Sequence, residues 1–208
     1  MENIEDELDQ FFKNSDVKND IKNKKAILNL IKELGQETKE KFGLLIILGY
    51  NHSRHKDFIL TMSNNKNIFN GNKDIFDEEA KESIKKTIFH DGAILILKDG
   101  TLERSGVQLD INLIKFLNTM KLDWNKDLAS QLGFSNSVSM RHLSGISSSL
   151  QFKGTTVFTR SEETGDIRAY EDGKIIFSTV LEELNNIKTN DRSFVRGNQF
   201  KIKKWLEA

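Results

Sequence analysis

Two short, continuous apolar runs constrain the fold of this chain most strongly. Residues 43–50 read GLLIILGY and residues 93–97 read AILIL. Runs of this length are too short for membrane helices and are typical of strands buried on both faces. Such strands need helices to cover them. The two runs therefore predict an α/β protein with a central mixed β-sheet flanked by helices.

The segments around these runs fill out the sheet. Apolar residues at helical spacing predict a helix capped by Asp77 and running through Ile88. The Asp-Gly pair at 99–100 predicts a tight turn from the second run into an antiparallel strand that ends at Gln108 and Leu109. The other predicted elements are a strand at 57–62, a loop at 64–74, helices around 111–117 and 128–132, a loop at 133–139, a helix at 140–150, and a meander formed by TTVFTR, DIRAY and KIIFS.

The N-terminal segment carries apolar residues at helical spacing with charged residues between them. It predicts two short helices separated by the turn-forming residues 14–16, with Gly35 as the stop of the second helix. The sequence predicts a helical extension at residues 1–35, a main domain at residues 36–187 and a charged tail at residues 188–208. The extension is either regulatory or a cap on the core, and the tail's apolar residues dock either on a neighbour or on the domain itself.

Composition excludes several classes of function. Lys plus Arg and Asp plus Glu number 31 each, so no global positive field exists to hold a nucleic-acid backbone, and no nucleic-acid partner is expected. The absence of Cys excludes disulfides, thiolate metal sites and cysteine nucleophiles. The acidic start MENIEDELDQ is unlike a signal peptide, and we expect a cytoplasmic protein without a membrane partner.

One group of candidate site residues precedes the second apolar run. His90 and Asp91 stand between a predicted helix and a predicted buried strand, so both side chains can face a cleft. Gly92 would let a ligand approach the backbone closely, beside Ala93. The alternative is an ordinary strand start without a function.

A second group, Arg141 and His142, lies in the first turn of a predicted helix that follows a Ser-rich loop. Free backbone N–H groups and the positive end of the helix dipole favour an anion there, such as a phosphate. Arg adds a planar set of donors, and His adds a proton-dependent donor or a metal contact. The alternative is a solvated helix start.

A third group, Glu162 and Glu163, offers the hard oxygen ligands that Mg²⁺ or Mn²⁺ prefers. Because adjacent strand residues point to opposite faces, we expect one of the two carboxylates to join such a site. His52 and His55 have no third ligand at a useful spacing, which favours a loop over a metal pair. No phosphate-binding loop, dinucleotide fingerprint or nucleophile-elbow motif occurs in the chain.

Three strings occur in a characteristic order: HDGAILILKDGTLERSGVQL at 90–109, MRHLSG at 140–145 and TRSEETGDIRAYEDGK at 159–174. Together they resemble the diadenylate cyclase domain family of the DisA and CdaA types, over roughly residues 36–180. The resemblance implies a mixed sheet flanked by helices and an enzyme that joins two ATP into cyclic di-AMP. The helical extension is similar to that of small soluble family members, in which such helices restrain activity by controlling how domains meet.

The resemblance also implies residue roles. Asp91 would lie at the attacking 3′-hydroxyl, His90 and Glu163 would hold Mg²⁺ or Mn²⁺, and Arg141 with His142 would bind phosphate. Activity would require two ATP-loaded domains to face each other in a homo-oligomer. The other substrate-binding positions are Gly92 and Ala93 at the pocket floor, Val107, Gln108 and Leu109 at adenine, and Ser139 and Ser161 near the phosphates.

The phosphate motif departs from the family pattern. Where the family reads Gly-Thr-Arg-His-Arg, residues 139–143 read Ser-Met-Arg-His-Leu. Met140 removes a hydroxyl and Leu143 removes a charged multi-donor group. The alternative to a cyclase is therefore a catalytically weakened or inactive cyclase fold that senses ATP or cyclic di-AMP, and a third reading is a cyclase with a different nucleotide or product.

Overall fold

A seven-stranded mixed sheet forms the centre of the computed structural model, which describes residues 21–62, 67–69 and 73–185 together with Leu8, Phe12, Ile202, Trp205 and Leu206. The strands are β1 (Leu44–Tyr50), β2 (Ile59–Met62), β3 (Ala93–Leu97), β4 (Leu102–Leu109), β5 (Thr156–Arg160), β6 (Ile167–Glu171) and β7 (Lys174–Ser178). Their order is β2-β4-β3-β1-β5-β6-β7. Strands β1 and β3 are parallel, and the other neighbours are antiparallel.

Helices flank this sheet, which confirms the predicted fold class. They are α1 (Ile21–Glu37), α2 (His52–His55), α3 (Glu78–Thr87), α4 (Leu113–Thr119), α5 (Leu128–Leu132) and α6 (Met140–Gln151), with 3₁₀ turns at Lys56–Phe58 and Leu181–Asn185. None of the helices in the described ranges has the length and apolar character needed to cross a bilayer.

The central strand β1 is buried on both faces, as its unbroken apolar run predicts. Ile46 and Leu48 join one apolar cluster, with residues of α1 and α3. Leu45 and Ile47 point the opposite way into a second cluster, with residues of α4, α5 and α6. Each fully buried aliphatic side chain contributes about 1.5–3 kcal/mol to folding. The sheet is therefore the middle layer of an α/β/α arrangement.

The predicted hairpin and meander are confirmed. Strand β4 returns antiparallel to β3 after the Asp-Gly turn, and β5, β6 and β7 pair in sequence. Strand β2 begins at Ile59 rather than at Asp57, because residues 56–58 form a 3₁₀ turn. Much of the predicted loop at 64–74 lies outside the described residues.

Helix α1 differs from its prediction at its end. It continues through Glu37, so the expectation that Gly35 stops the helix was wrong. Gly35 packs instead against Arg160, whose Nε would lie 3.3 Å from a Cβ at this position. The predicted turn at 14–16 lies outside the described residues, whereas Leu8 and Phe12 are helical and buried in the same cluster as α1.

A buried ion pair ties α1 to the sheet. Lys24 Nζ lies 2.7 Å from Glu171 Oε1 on β6, and both side chains are almost fully buried. Thr156 Oγ1 donates to the same carboxylate at 2.7 Å. Burial lowers the pKa of Lys24, although the contact with Glu171 opposes this shift. Because an unpaired charge would be costly at this position, the pair fixes α1 in its place.

Two described residues of the tail also pack on the domain. Trp205 Nε1 donates to Asn29 Oδ1 on α1 at 2.9 Å, and its ring meets Phe177 of β7 edge to face at 5.9 Å. Ile202 is buried in the same apolar cluster. Of the two alternatives for the tail, these contacts favour docking on its own domain.

Candidate functional site

A cavity of about 650 Å³ opens where β1 and β3 begin and where β4 and β5 end. Its wall combines strand starts, the last residues of β4 and the first turns of α6. Of the residues singled out in the sequence, it is lined by His90, Asp91, Gly92, Ala93, Val107, Gln108, Leu109, Met140, Arg141 and Glu162. The structure therefore brings the first predicted group and one member each of the second and third groups into one cavity.

Residues His90 to Gly92 connect α3 to β3. The side chains of His90 and Asp91 are exposed at the cavity. Gly92 has φ +118°, and a Cβ there would lie 2.5 Å from the carbonyl carbon of Gly106 on β4. The close approach that requires glycine is thus made by the β4 backbone, where the sequence suggested a ligand. This packing fixes His90 and Asp91 relative to β4.

Strand β4 extends beyond the start of its neighbour β3. Ala93, the first residue of β3, pairs with Val107, so Gln108 and Leu109 pass the end of that ladder. On their other side, these residues pair with β2. The β3-facing side of this stretch borders the cavity, where backbone groups can meet the edge of a planar ligand.

Arg141 presents its guanidinium to the cavity from the first turn of α6. The group lies directly on Gly43, since a Cβ at residue 43 would fall 1.8 Å from Arg141 Nη1. Both Nη1 and Nη2 donate to Glu162 Oε2, at 3.3 and 3.4 Å. Exposed pairs of this kind contribute little to stability, about 0–1 kcal/mol, so Glu162 holds the guanidinium only weakly. The contact shows that Arg141 meets an anionic oxygen at the cavity.

His142 does not line this cavity. Its side chain is buried, and Arg168 Nη1 approaches its Nε2 at 3.0 Å. Because a guanidinium has no acceptor, Nε2 must accept this hydrogen bond and the proton must lie on Nδ1. Nδ1 then donates to Ser139 Oγ at 3.1 Å. Burial, followed by the charge of Arg168, lowers the pKa of His142 to about 4.

The same network holds the start of α6. Ser139 is the N-cap, and its Oγ accepts from the backbone N–H of His142. Arg168 donates to Glu183 through Nε at 2.7 Å and Nη2 at 2.8 Å, and Ser178 Oγ donates to Glu183 at 2.6 Å. Ser139 and His142 thus hold the helix turn that carries Arg141. Phosphate binding by His142, and a place near the phosphates for Ser139, stay predictions.

Ser161 and Glu163 lie in the turn after β5 rather than on the strand. Ser161 Oγ donates to Glu163 Oε2 at 3.0 Å and accepts from the N–H of Thr164 at 3.2 Å. A backbone N–H, and then the Ser161 hydroxyl, lower the pKa of Glu163. Of the acidic pair, Glu162 lines the cavity and Glu163 braces the turn.

The two residues that depart from the family motif have different surroundings. Met140 lines the cavity and is 72% exposed. Leu143 packs against the apolar cluster between the sheet and helices α4 to α6. The substitution at 140 therefore alters the cavity wall, and the substitution at 143 alters the packing of α6.

The donors at the cavity fit a divalent cation that is held together with phosphate. His90, Asp91 and Glu162 lie in its wall. Within the described residues, no three His, Asp or Glu side chains converge closely enough to hold a metal alone. Mg²⁺ commonly takes one or two protein ligands and completes its shell with substrate phosphates and water, which such a donor set permits.

Several cavity residues were missed from the sequence. Glu162 was considered, but Glu163 was preferred for the site. Gly43 was assigned only to the strand run, because nothing in a linear sequence links it to Arg141. Lys41, Leu60 and Ser144 also line the cavity, and no local motif distinguishes them. His52 and His55 lie on α2, where His52 contacts the Tyr50 hydroxyl at 3.2 Å and His55 contacts the Lys153 carbonyl at 3.2 Å.

This chain is similar in sequence to known proteins. A diadenylate cyclase from Methanocaldococcus jannaschii is 30% identical over 166 residues, which are 74% of this chain and 44% of that protein. The chain thus spans less than half the length of this relative. A crystal structure described as a hypothetical membrane spanning protein from Bacillus cereus aligns with a TM-score of 0.48 and 18% identity, over 73% of this chain and 60% of the other. The DAC family model, described as DisA bacterial checkpoint controller nucleotide-binding, matches residues 32–175, and the chain belongs to this diadenylate cyclase family.

Proposed function

We propose that this protein is a diadenylate cyclase that joins two ATP into cyclic di-AMP and releases pyrophosphate. The observation that carries the proposal is the single cavity that gathers His90, Asp91, the free edge of β4 and Arg141. Its volume of about 650 Å³ is that of a small-molecule site. Membership of the diadenylate cyclase family supports the proposed reaction, and the cavity supports the proposed position of the active site.

The cavity wall suggests how ATP would lie. The adenine would meet β4 at Val107, Gln108 and Leu109, of which Gln108 and Leu109 extend past the ladder with β3. The phosphates would lie at Arg141, replacing the Glu162 carboxylate that now accepts from it. The positive end of the 12-residue helix α6 adds to this preference for an anion.

We propose Mg²⁺ or Mn²⁺ as the cofactor, held by His90 and the carboxylate of Glu162, which lines the cavity where Glu163 does not. The bound cation would neutralise phosphate charge and make the α-phosphorus easier to attack. The residues of this chain bind and orient the substrate around it. Glu163 would shape the turn that presents Glu162, through its hydrogen bond with Ser161.

Asp91 would accept the hydrogen bond of the ribose 3′-hydroxyl and orient it for attack. The 3′-oxygen bonds to the α-phosphorus of the second ATP, the bond from that phosphorus to the pyrophosphate oxygen breaks, and the hydroxyl proton passes to the Asp91 carboxylate and from there to water. Repeating the step closes the ring, so two ATP give one cyclic di-AMP and two pyrophosphates. Because each hydroxyl must reach the other nucleotide, two domains would have to face each other in a homo-oligomer.

A nucleotide sensor is the second candidate. Met140 lines the cavity at the position where the family motif has the hydroxyl of Thr. Leu143 packs against the apolar cluster at the position where the family motif has a charged Arg. These residues would weaken transition-state stabilisation more than ground-state binding. The fold would then hold ATP or cyclic di-AMP without turnover.

Asp91→Asn tests the cyclase proposal. The amide is nearly isosteric and Asp91 is exposed at the cavity, so the fold and ATP affinity should persist. We expect the rate of cyclic di-AMP formation, measured by mass spectrometry, to fall by at least about 100-fold. Product formation at the wild-type rate would remove Asp91 from the reaction.

The pair Met140→Thr and Met140→Val separates a weakened enzyme from a sensor. Both variants shorten the side chain and introduce a β-branch, but only Thr adds a hydroxyl at the cavity. One new hydrogen bond worth about 0.5–1.5 kcal/mol in the transition state predicts an increase of roughly 2- to 10-fold for Thr over Val. ATP binding without product in wild type and both variants would favour the sensor.

A further inference from the structure

A second cavity, of about 500 Å³, lies beneath the C-terminal half of α6. None of its lining residues belongs to the cavity described above. Arg141 and Ser144 face the first cavity, whereas Ser147 and Gln151 face the second. At 3.6 residues per turn these four positions form one stripe, so a single helix face borders both cavities.

The mouth of this second cavity is cationic. Arg54, Lys115 and Lys153 line it, all three are exposed, and no Asp or Glu is among the lining residues. Within the described part of the chain, none of the three side chains forms an ion pair. Three like charges around one opening create a local positive potential in a protein whose net charge is zero.

The interior of the cavity combines apolar walls with a polar group. Phe58, Phe116 and Leu150 supply the apolar surface. Ser147 is 1% exposed, and its Oγ has no hydrogen-bond partner among the described residues. Buried hydroxyls are nearly always hydrogen-bonded, so an unsatisfied one beside a cavity indicates a position for a ligand's polar atom.

His55 forms a fixed part of the wall. Its Nδ1 accepts from the backbone N–H of Asn51 at 3.1 Å, so Nε2 carries the proton and donates to the carbonyl of Lys153 at 3.2 Å. Both ring nitrogens are thus used, and the imidazole links α2 to the residues that follow α6. The backbone beside two of the cationic residues is therefore held in place.

We propose that this cavity is a second ligand site, for a small organic anion with an aromatic body. The anionic group binds at Arg54, Lys115 and Lys153. The ring packs against Phe58 and Phe116, and Ser147 Oγ takes up a polar atom of the ligand. This proposal is independent of the reaction at the first cavity.

The test is a fluorescence titration of the full chain with 8-anilino-1-naphthalenesulfonate, an aromatic anion. We expect saturable binding that the double variant Lys115→Glu, Lys153→Glu weakens by at least about tenfold. Lys126→Glu is the matched control, because it reverses an exposed charge that lines neither cavity, and it should change the dissociation constant less than about twofold. Ser147→Leu fills the interior of the second cavity and should abolish binding of the probe. If the Ser147→Leu variant does not fold, the double variant Lys115→Glu, Lys153→Glu alone tests the site.

Two results would overturn the proposal. One is an unchanged dissociation constant in the double variant. The other is displacement of the probe by ATP with a dose dependence equal to that of ATP binding, which would place the probe in the first cavity. Neither readout needs turnover, so a protein that makes no cyclic di-AMP still tests this site.

Discussion

Acidification should destabilise this protein through His142. The imidazole is buried, accepts from Arg168 through Nε2 and donates to Ser139 through Nδ1. A second proton would place two cations in contact at 3.0 Å. The folded pKa of about 4 therefore lies below the value of about 6.5 expected in the unfolded chain.

The sign follows from proton binding. Between these two pKa values the unfolded chain binds more protons, so the free energy of unfolding falls as the pH falls. The stabilisation is complete above about pH 6.5 and is lost as the pH drops towards 4. Linkage with these two pKa values gives a loss of about 2 kcal/mol between about pH 7.5 and pH 5.

The assay is urea unfolding of wild type and His142→Gln at both pH values. Gln can accept from Arg168 but does not titrate, so the difference between the two proteins isolates His142 from carboxylates and from His55. We expect wild type to lose about 2 kcal/mol more than the variant on acidification. Equal losses of stability in the two proteins would refute the buried, neutral imidazole.

Three further substitutions test other contacts. A methyl group at Gly43 would overlap the Arg141 guanidinium, so Gly43→Ala should weaken ATP binding about 10- to 100-fold in calorimetry while thermal stability changes little; unchanged affinity would separate Arg141 from the phosphates. Gly92→Ala meets backbone atoms of β4 at a positive φ and should cost about 1–3 kcal/mol in urea unfolding, and wild-type stability would contradict this contact. Lys24→Met leaves the Glu171 carboxylate buried beside an apolar side chain and should lower the free energy of unfolding by about 3–5 kcal/mol. Adding Glu171→Gln to the same variant should restore part of that loss. A Lys24→Met variant as stable as wild type would show that this pair does not fix α1.

The fold was predictable because its signals are local. A strand that is buried on both faces needs an unbroken run of apolar residues, and β1 and β3 lie where such runs occur. The Asp-Gly turn between β3 and β4 likewise needs only neighbouring residues. The prediction for Gly35 was wrong because this glycine makes room for the side chain of Arg160, which is distant in sequence. The rule that a glycine ends a helix considers only neighbouring residues.

The site was predictable to the extent that its residues lie on one element. His90 to Gly92 lead directly into β3 at Ala93, and Val107 to Leu109 end the paired strand β4, so the two stretches reach the cavity together. Arg141 and His142 are about 100° apart around α6, and the sequence does not say which faces the ligand. For Glu162 and Glu163, alternation along a strand was the wrong rule because both lie in a turn.

The role of α1 bears on regulation. The resemblance suggested helices that control how domains meet, with a cap on the core as the alternative. The buried Lys24 and Glu171 pair, together with the fully buried Ile27 and Leu34, makes α1 part of the core. We therefore expect removal of α1 to unfold the domain, and any regulation by the N-terminal segment would have to leave α1 in place.

In the proposed function, two facing domains each supply one ATP to a shared reaction. The most direct measurement is the time course of nucleotides formed from ATP and Mn²⁺, followed by mass spectrometry over a range of protein concentrations. We expect two ATP to be consumed and two pyrophosphates to be released for each cyclic di-AMP, with activity per chain rising as the protein concentration rises. ATP recovered intact despite measurable binding would contradict the cyclase, and activity per chain independent of concentration down to the monomeric range would contradict the facing domains.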